Sequence, residues 1–409
     1  MAVLPPIRRV EPLPVTVKGE DYICLADPLG YVEDQMVLSP PAFFIACCLD
    51  GAHDAAAVQE EFARTFGGFK PPLEEILNVV NSLDEAGFLC TETFTRIKAR
   101  VEATFGAAPT RSAMLAGQAY PDEPEQLRER LDGFFVDEDG TGALQRITPG
   151  GDRPLRGLVA PHIDFERGGN IYGAAYRRLY ASGKPDVVML FGVAHFGAET
   201  PFVITRKDFE TPLGTLRTDQ DAVSRLEAAC SWPPYDAEIA HRMEHSLEFQ
   251  AVMLAYLYGT DVPIIPILCA FPTDDPETRA EEKEMVADFL CACNAVANDP
   301  ERNCTVIAAA DLAHVGRRFG DDLDVSEELI ALVRQRDMDD LQHVTACAPD
   351  KFFDAIMADD NARHVCGLGC IYSMLKTLEG TTPSGEMVDY DYAPDPAGGF
   401  VSFTAIALE

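Results

Sequence analysis

Leu158-Val159-Ala160-Pro161-His162-Ile163-Asp164 is the stretch that decides how this chain is read. A short apolar run ends in a Pro-His pair. An acid stands two residues on, Gly168 and Gly169 follow, and then a helical pattern begins. Open α/β sheets build their sites at the carboxyl ends of strands, and this is a strand that delivers a histidine there. The arrangement recurs. Val187-Val-Met-Leu-Phe-Gly-Val-Ala is a buried-strand run ending in His195, and Val306-Ile-Ala-Ala-Ala leads to Asp311 and His314. Three strand ends carrying histidine, in a chain with only 8 His, point to a shared site.

Working outward, helical patterns alternate with these strands. Gly168 to Tyr180 is helical, and His241 opens a helix that continues to Tyr258. Val262 to Cys269 is a buried strand, and Thr278 to Ala297 is a long amphipathic helix. Met387 to Tyr392 and Gly399 to Leu408 are closing strands. The alternation predicts an α/β domain over 111–409, with a largely parallel sheet flanked by helices. Upstream, residues 1–19 read as an extended arm and 93–110 as a linker helix. Between them, 20–92 holds short strands, three helices and a returning strand. Ser39-Pro40-Pro41 starts the first helix, Asp54 caps the second and Pro71-Pro72 opens the third. This predicts a small winged-helix-like domain.

The formal net charge of -34 argues against a nucleic-acid or anionic-membrane partner, since both need a basic face. The 12 cysteines are scattered, with no Cys-x-x-Cys, so neither a disulfide framework nor a zinc ribbon is expected. No apolar run approaches about 18 residues, and Met1 to Glu11 has no apolar core. A reduced, cytoplasmic protein is the expectation.

Five places can carry chemistry. His162 and His195 follow apolar strands, and neutral imidazole there suits Fe, Cu or Zn; a ring bonding the backbone at a turn is the alternative for either alone. Asp311 can orient a histidine, with His314 close in sequence, or can cap a turn. Glu244 and His245 open a helix and can face the same cleft as acid or base. His241 and His245 are four apart, but the order is not His-Glu-x-x-His, so a protease is rejected. Cys366 precedes a helix start, where a thiol is a candidate ligand or a buried core residue.

The blocks MLAGQAYPDEPEQLRERLDGFF, LVAPHIDFERGG, VVMLFGVAHFG, FETPLGTLRTD, EHSLEFQAVML, AAADLAHVG and HVCGLGCIYSML resemble, in order and spacing, the Memo family, component B of the AmmeMemoRadiSam set. The resemblance covers about 300 residues from Arg111. It implies a fold similar to class III extradiol dioxygenases, with His162 and His195 as metal ligands and Cys366 in place of the dioxygenase carboxylate. It implies Fe(II) or Cu(I) as the ion, with His314, Asp311, His245 and Glu244 as catalytic candidates. The implied partners are a small-molecule or peptide substrate and radical SAM and AMMECR-type proteins. Two alternatives stay open: a non-catalytic ligand- or peptide-binding module using a vestigial pocket, and a ring-cleaving dioxygenase. The chain departs from the family in its first block, where Ile163, Asp164 and Phe165 replace Ala-Gly-Tyr, and in Ala194 and Phe196 beside His195. The N-terminal segments LSPPAFFIACCLDGAHDAAAVQEEF and VVNSLDEAGFL resemble a PqqD-like winged helix. Acidic Glu74, Glu75, Asp84 and Glu85 on its third helix favour a peptide or protein partner over DNA, and a purely structural appendage is favoured over either.

Overall fold

A computed structural model describes residues 2–136, 154–272, 276–381 and 384–409; of 276–281 only the backbone is described. The chain divides into two compact units, Met1–Ala108 and Pro109–Glu409. Among the described residues no helix is long and apolar enough to cross a membrane.

The first unit opens with an antiparallel sheet of β1 (Glu11–Val17), β2 (Glu20–Ala26) and β3 (Met36–Leu38). All of β1 lies in the stretch expected to be an extended arm. Lys18 and Gly19 both take left-handed backbone, at φ 55° and 85°, and join paired Val17 and Glu20 in a two-residue turn. Such a turn needs positive φ at both positions, and Lys-Gly is a weak signal for it beside Asn-Gly. Three helices follow: α1 (Pro40–Cys47), α2 (Ala55–Thr65) and α3 (Leu73–Glu85). Ser39 and Asp54 cap the first two through the Ala42 and Ala57 N–H groups. Ile76, Val80 and Leu83 of α3 join Val58, Phe62 and Ile45 in one core. The expected returning strand at Gly87–Cys90 is only a bridge between Leu89 and Ile7. Helix α4 (Glu92–Ala107) closes the unit.

The second unit begins with β4 (Thr110–Arg111) and α5 (Pro124–Asp132), then β5 (Gly157–Ala160), α6 (Phe165–Ser182), β6 (Val187–Val193) and β7 (Phe202–Ile204). A side sheet of β4, β8 (Asp208–Thr211) and β9 (Gly214–Leu216) precedes α7 (Gln220–Glu227). Next come α8 (Ala240–Met243), α9 (Ser246–Tyr258), β10 (Ile264–Cys269) and α10 (Pro276–Ala297). The chain ends with β11 (Cys304–Ala309), β12 (Asp311–Val315), α11 (Glu327–Thr345), α12 (Pro349–Met357), α13 (Leu368–Thr377), β13 (Gly385–Asp395) and β14 (Gly399–Leu408).

The main sheet runs β12-β14-β5-β11-β6-β10-β7, with β13 on β14. Its centre, β5-β11-β6-β10, is parallel; the pairings at the two sides are antiparallel. Both faces of the centre are covered, which is why its strands are near-continuous apolar runs. Val187, Met189 and Phe191 pack with Phe289, Ile371 and Leu375 on one face. Val188 and Leu190 pack with Tyr172, Phe249 and Val252 on the other.

Parallel pairing puts the carboxyl ends of β5, β11 and β6 on one edge, with β11 between the other two. Ala309 pairs with Ala160, so two residues further on Asp311 comes level with His162. The expected single strand through His314 is broken at Ala310. Its N–H still bonds Ala160, but Asp311 then starts β12, antiparallel to β14. His314 therefore lies inside a second strand, not just past the end of the first.

Helix α13 docks on this edge through two glycines. A Cβ on Gly369 would lie 1.8 Å from the Phe271 carbonyl oxygen, and one on Gly367 would lie 2.5 Å from that of Asp311. Gly369→Ala is expected to destabilise the unit by about 3 kcal/mol, because backbone rather than a pliable side chain must move. Chemical denaturation measures this; a change within error would mean that the helix does not pack so closely.

Candidate metal centre

The strand edge delivers its residues to one point. Strands two apart in a sheet are separated by about 10 Å, a gap that two facing imidazoles can span. The rings of His162 and His195 meet edge to face, with centroids 4.9 Å apart. Cys366, in the loop before α13, puts its Sγ 3.3 Å from His162 Nε2. One ligand atom from each of His162, His195 and Cys366 falls within 4.8 Å of the others, as a shared ion requires.

Each histidine is held by its far nitrogen. His162 Nδ1 lies 2.8 Å from the Ala309 carbonyl, so it carries the proton and leaves the Nε2 lone pair facing the cluster. His195 Nδ1 lies 2.9 Å from Glu244 Oε1, which orients that ring the same way. The Glu244 carboxylate also accepts from the backbone N–H of His195, at 2.9 Å, and of Ser246, at 3.0 Å. Asp311 accepts from the His162 backbone N–H at 2.9 Å, and its other oxygen is 3.6 Å from His162 Nε2.

The reading of 241–258 as one helix needs correction. Glu244 takes extended backbone, ψ 125°, between α8 and α9, so His241 and His245 do not share a helical face. His241 is buried, and its Nε2 bonds the Val203 carbonyl at 3.0 Å. The break lets Glu244 reach His195 and stacks His245 on His195, centroids 4.5 Å apart. His195, Glu244 and His245 form a second candidate group. There, however, Glu244 already accepts from three N–H groups, which assigns it to orienting His195.

Asp311 was expected to orient His314, but its carboxylate faces His162. The His314 ring is held by the Leu312 carbonyl, at 3.1 Å from Nδ1, and by edge contact with Phe319. His314 still feels the charges of Asp311, His162 and His195.

Burial sets the protonation pattern. It lowers His162 despite the opposing pull of Asp311, takes His245 down to about 3 and takes His314 to about 4, so these rings are neutral. For His195 burial also pulls downward, but Glu244 outweighs it and the net shift is up. Glu244 is driven well below the usual range: burial opposes this, and His195 and His245 prevail. Burial, aided by Asp311, raises the Cys366 thiol well above its ordinary value. Asp311 and Glu244 are each 2% exposed, and among the described residues neither carboxylate pairs with lysine or arginine. Two buried carboxylates beside mostly neutral rings make a pocket that favours a cation. The donor set of two free Nε2 lone pairs and a thiol fits a soft or borderline ion.

Beneath the site lies a network that sequence patterns did not signal. Buried Arg111 pairs with Glu248, which also accepts from the Tyr120 hydroxyl and from the Leu115 N–H at 2.8 Å. The same guanidinium donates to the carbonyls of His241, at 2.9 Å, and Glu244, at 2.7 Å. It thereby fixes the break between α8 and α9. Its sequence trace is faint: Arg111 is one charge in a two-residue strand, far in sequence from Glu248.

A family model described as Memo-like protein matches residues 111–404. A MEMO1 family protein of Aquifex aeolicus is 28% identical over 391 residues, 95% of this chain and 96% of its own length, so the alignment necessarily enters the N-terminal unit. One from Methanopyrus kandleri is 29% identical over 73% of this chain and 98% of its own. One from Thermus thermophilus is 28% identical over 78% and 89%.

Proposed function

The chain belongs to the Memo family, and from that premise we propose that it is a metalloprotein whose His162, His195 and Cys366 hold one Fe(II) or Cu(I) ion in a redox site. The observation that carries this reading is the convergence of two oriented Nε2 atoms and a thiol beside two buried carboxylates that, among the described residues, pair with no lysine or arginine. When bound, such an ion supplies a one-electron couple and open positions for O2 or a hydroxylated ligand.

The protein's own groups do the rest. Ala309 and Glu244 fix the two imidazole tautomers. Asp311 and Glu244 supply the negative charge that a cation neutralises. His245, neutral and stacked against His195, is one proton acceptor beside the ligand set; His314, which feels the charges of Asp311, His162 and His195, is the second candidate. The substrate is a small or peptide-linked molecule, and radical SAM and AMMECR-type proteins are the proposed partners. Family membership supports that partnership; no distance in the site bears on it.

Proton release tests the reading. A thiol held above its ordinary value must lose its proton to bind metal. Apparent affinity is therefore expected to rise about tenfold per pH unit between about pH 6 and pH 8. At the acid end the slope steepens, because His195, raised by Glu244, must shed a second proton. Competition titrations under anaerobic conditions measure this, and an affinity independent of pH would contradict thiolate ligation.

A further inference from the structure

Two of the three candidate ligands follow strand ends, where the sheet itself fixes them. Cys366 does not: it lies in the loop 358–367 between α12 and α13. A ligand carried on a loop is placed only as well as its supports hold it. This loop is also strained. Asp360, Asn361 and His364 have φ of 54°, 55° and 51°, a left-handed backbone uncommon outside glycine. Such conformations persist only where the surroundings impose them.

The imposing residue within the loop is Arg363. Its carbonyl accepts from the His314 N–H at 2.8 Å, and further on the Gly367 N–H donates to the Asp311 carbonyl at 3.1 Å. Cys366 lies between these two bonds to β12. The buried Arg363 guanidinium reaches the other way and pairs with Asp337 and Asp340 of α11. Asp337 is 2% exposed, and both of its oxygens are engaged. One takes Arg363; the other accepts from Ser402 of β14 at 2.6 Å and Tyr390 of β13 at 2.9 Å. The Ser402 hydroxyl in turn accepts the Ala313 N–H at 3.0 Å. The same buried carboxylate thus ties down the Cys366 loop, through Arg363, and β12, through Ser402. A buried ion pair contributes little to stability by itself, because desolvation offsets the attraction. Here it holds a strained loop against the strand that carries Asp311 and His314.

We propose that the clamp of Arg363 between Asp337 and Asp340 is a positioning device for the metal centre: it keeps the loop in its strained form and so sets the Cys366 thiol against His162 Nε2. Asp337 is its buried anchor and a positioning residue, since none of its hydrogen bonds goes to a ligand side chain. The inference rests on the reading of Cys366 as a ligand.

The test titrates the full chain anaerobically with Co(II), reading affinity and the thiolate-to-Co(II) charge-transfer absorption. It compares the parent, Asp337→Asn, Cys366→Ala and the double variant. Asp337→Asn keeps the volume and leaves Arg363 one carboxylate. Its Co(II) affinity is expected to fall about 10- to 100-fold, with a weakened charge-transfer band. In the Cys366→Ala background the same substitution should change affinity by no more than about twofold, because its effect passes through the thiol. A salt bridge that served the fold alone would lower the denaturation midpoint and leave band and affinity as in the parent, or weaken Co(II) binding equally in both backgrounds. Either result overturns the proposal. Asp340→Asn removes the more exposed partner and guards against an Asp337→Asn chain that does not fold. It should give a smaller loss, again confined to chains that keep Cys366, and parent-like affinity and band there would overturn the clamp. Failure of the parent to bind Co(II), or parent-like binding by Cys366→Ala, would overturn the metal reading, and this inference with it.

Discussion

Replacing Cys366 by alanine is expected to weaken binding of Cu(I) or Fe(II) at least about a hundredfold while changing stability by only about 1 kcal/mol. Structural zinc sites yield about 10–16 kcal/mol from four ligands, roughly 3 kcal/mol for each, and 3 kcal/mol is about a hundredfold. The thiol is half-buried, and beyond His162 its one other hydrogen bond among the described residues is a long one, 3.8 Å, to the Asp311 carbonyl. Its removal therefore strands only the His162 Nε2 lone pair, which loses a weak S–H donor. Anaerobic competition titration reads the affinity and thermal melting reads the fold. Parent-like metal affinity in the variant would remove Cys366 from the ligand set and leave the two histidines with Asp311 or Glu244.

Replacing Arg111 by methionine has the opposite profile, with a large loss of stability and a smaller loss at the site. The substitution leaves the fully buried Glu248 carboxyl without its cationic partner, for which about 3–5 kcal/mol is expected. It also frees the His241 and Glu244 carbonyls that the guanidinium holds. Once Glu244 is less firmly placed, His195 loses its orienting partner, and metal affinity should fall about 10- to 100-fold. Chemical denaturation of the apo protein measures the first effect. A companion Arg111→Met, Glu248→Met double variant should recover much of the stability, because no lone charge remains. A single variant as stable as the parent would mean that the Arg111–Glu248 pair does not hold this part of the fold.

The strand ends were legible because burial on both faces writes a parallel strand as an unbroken apolar run. His162 and His195 end such runs, and their convergence follows from parallel pairing. The cluster they form with Cys366 was reached through family resemblance, since a lone cysteine before a helix says little by itself. The breaks between elements were not legible. The change from β11 to β12 at Ala310 falls at the end of a run of three alanines with no glycine or proline to mark a break. The extended Glu244 sits in a pattern that reads as continuous helix, and its conformation is imposed by His195 and Arg111, both distant in sequence. The Asp311 carboxylate turned to His162 instead of nearby His314 because the register between β5 and β11 sets His162 level with it. Sequence proximity carried no information about that pairing. The hairpin at Lys18-Gly19 was hidden for a local reason: lysine rarely announces left-handed backbone.

The most direct test of the account is metal stoichiometry after anaerobic reconstitution with Fe(II) or Cu(I), measured by mass spectrometry on the parent chain and on His195→Ala. The account predicts close to one ion per chain in the parent and loss of most of it in the variant. No ion in the parent, or the same content in both, would contradict a metal site at His162, His195 and Cys366.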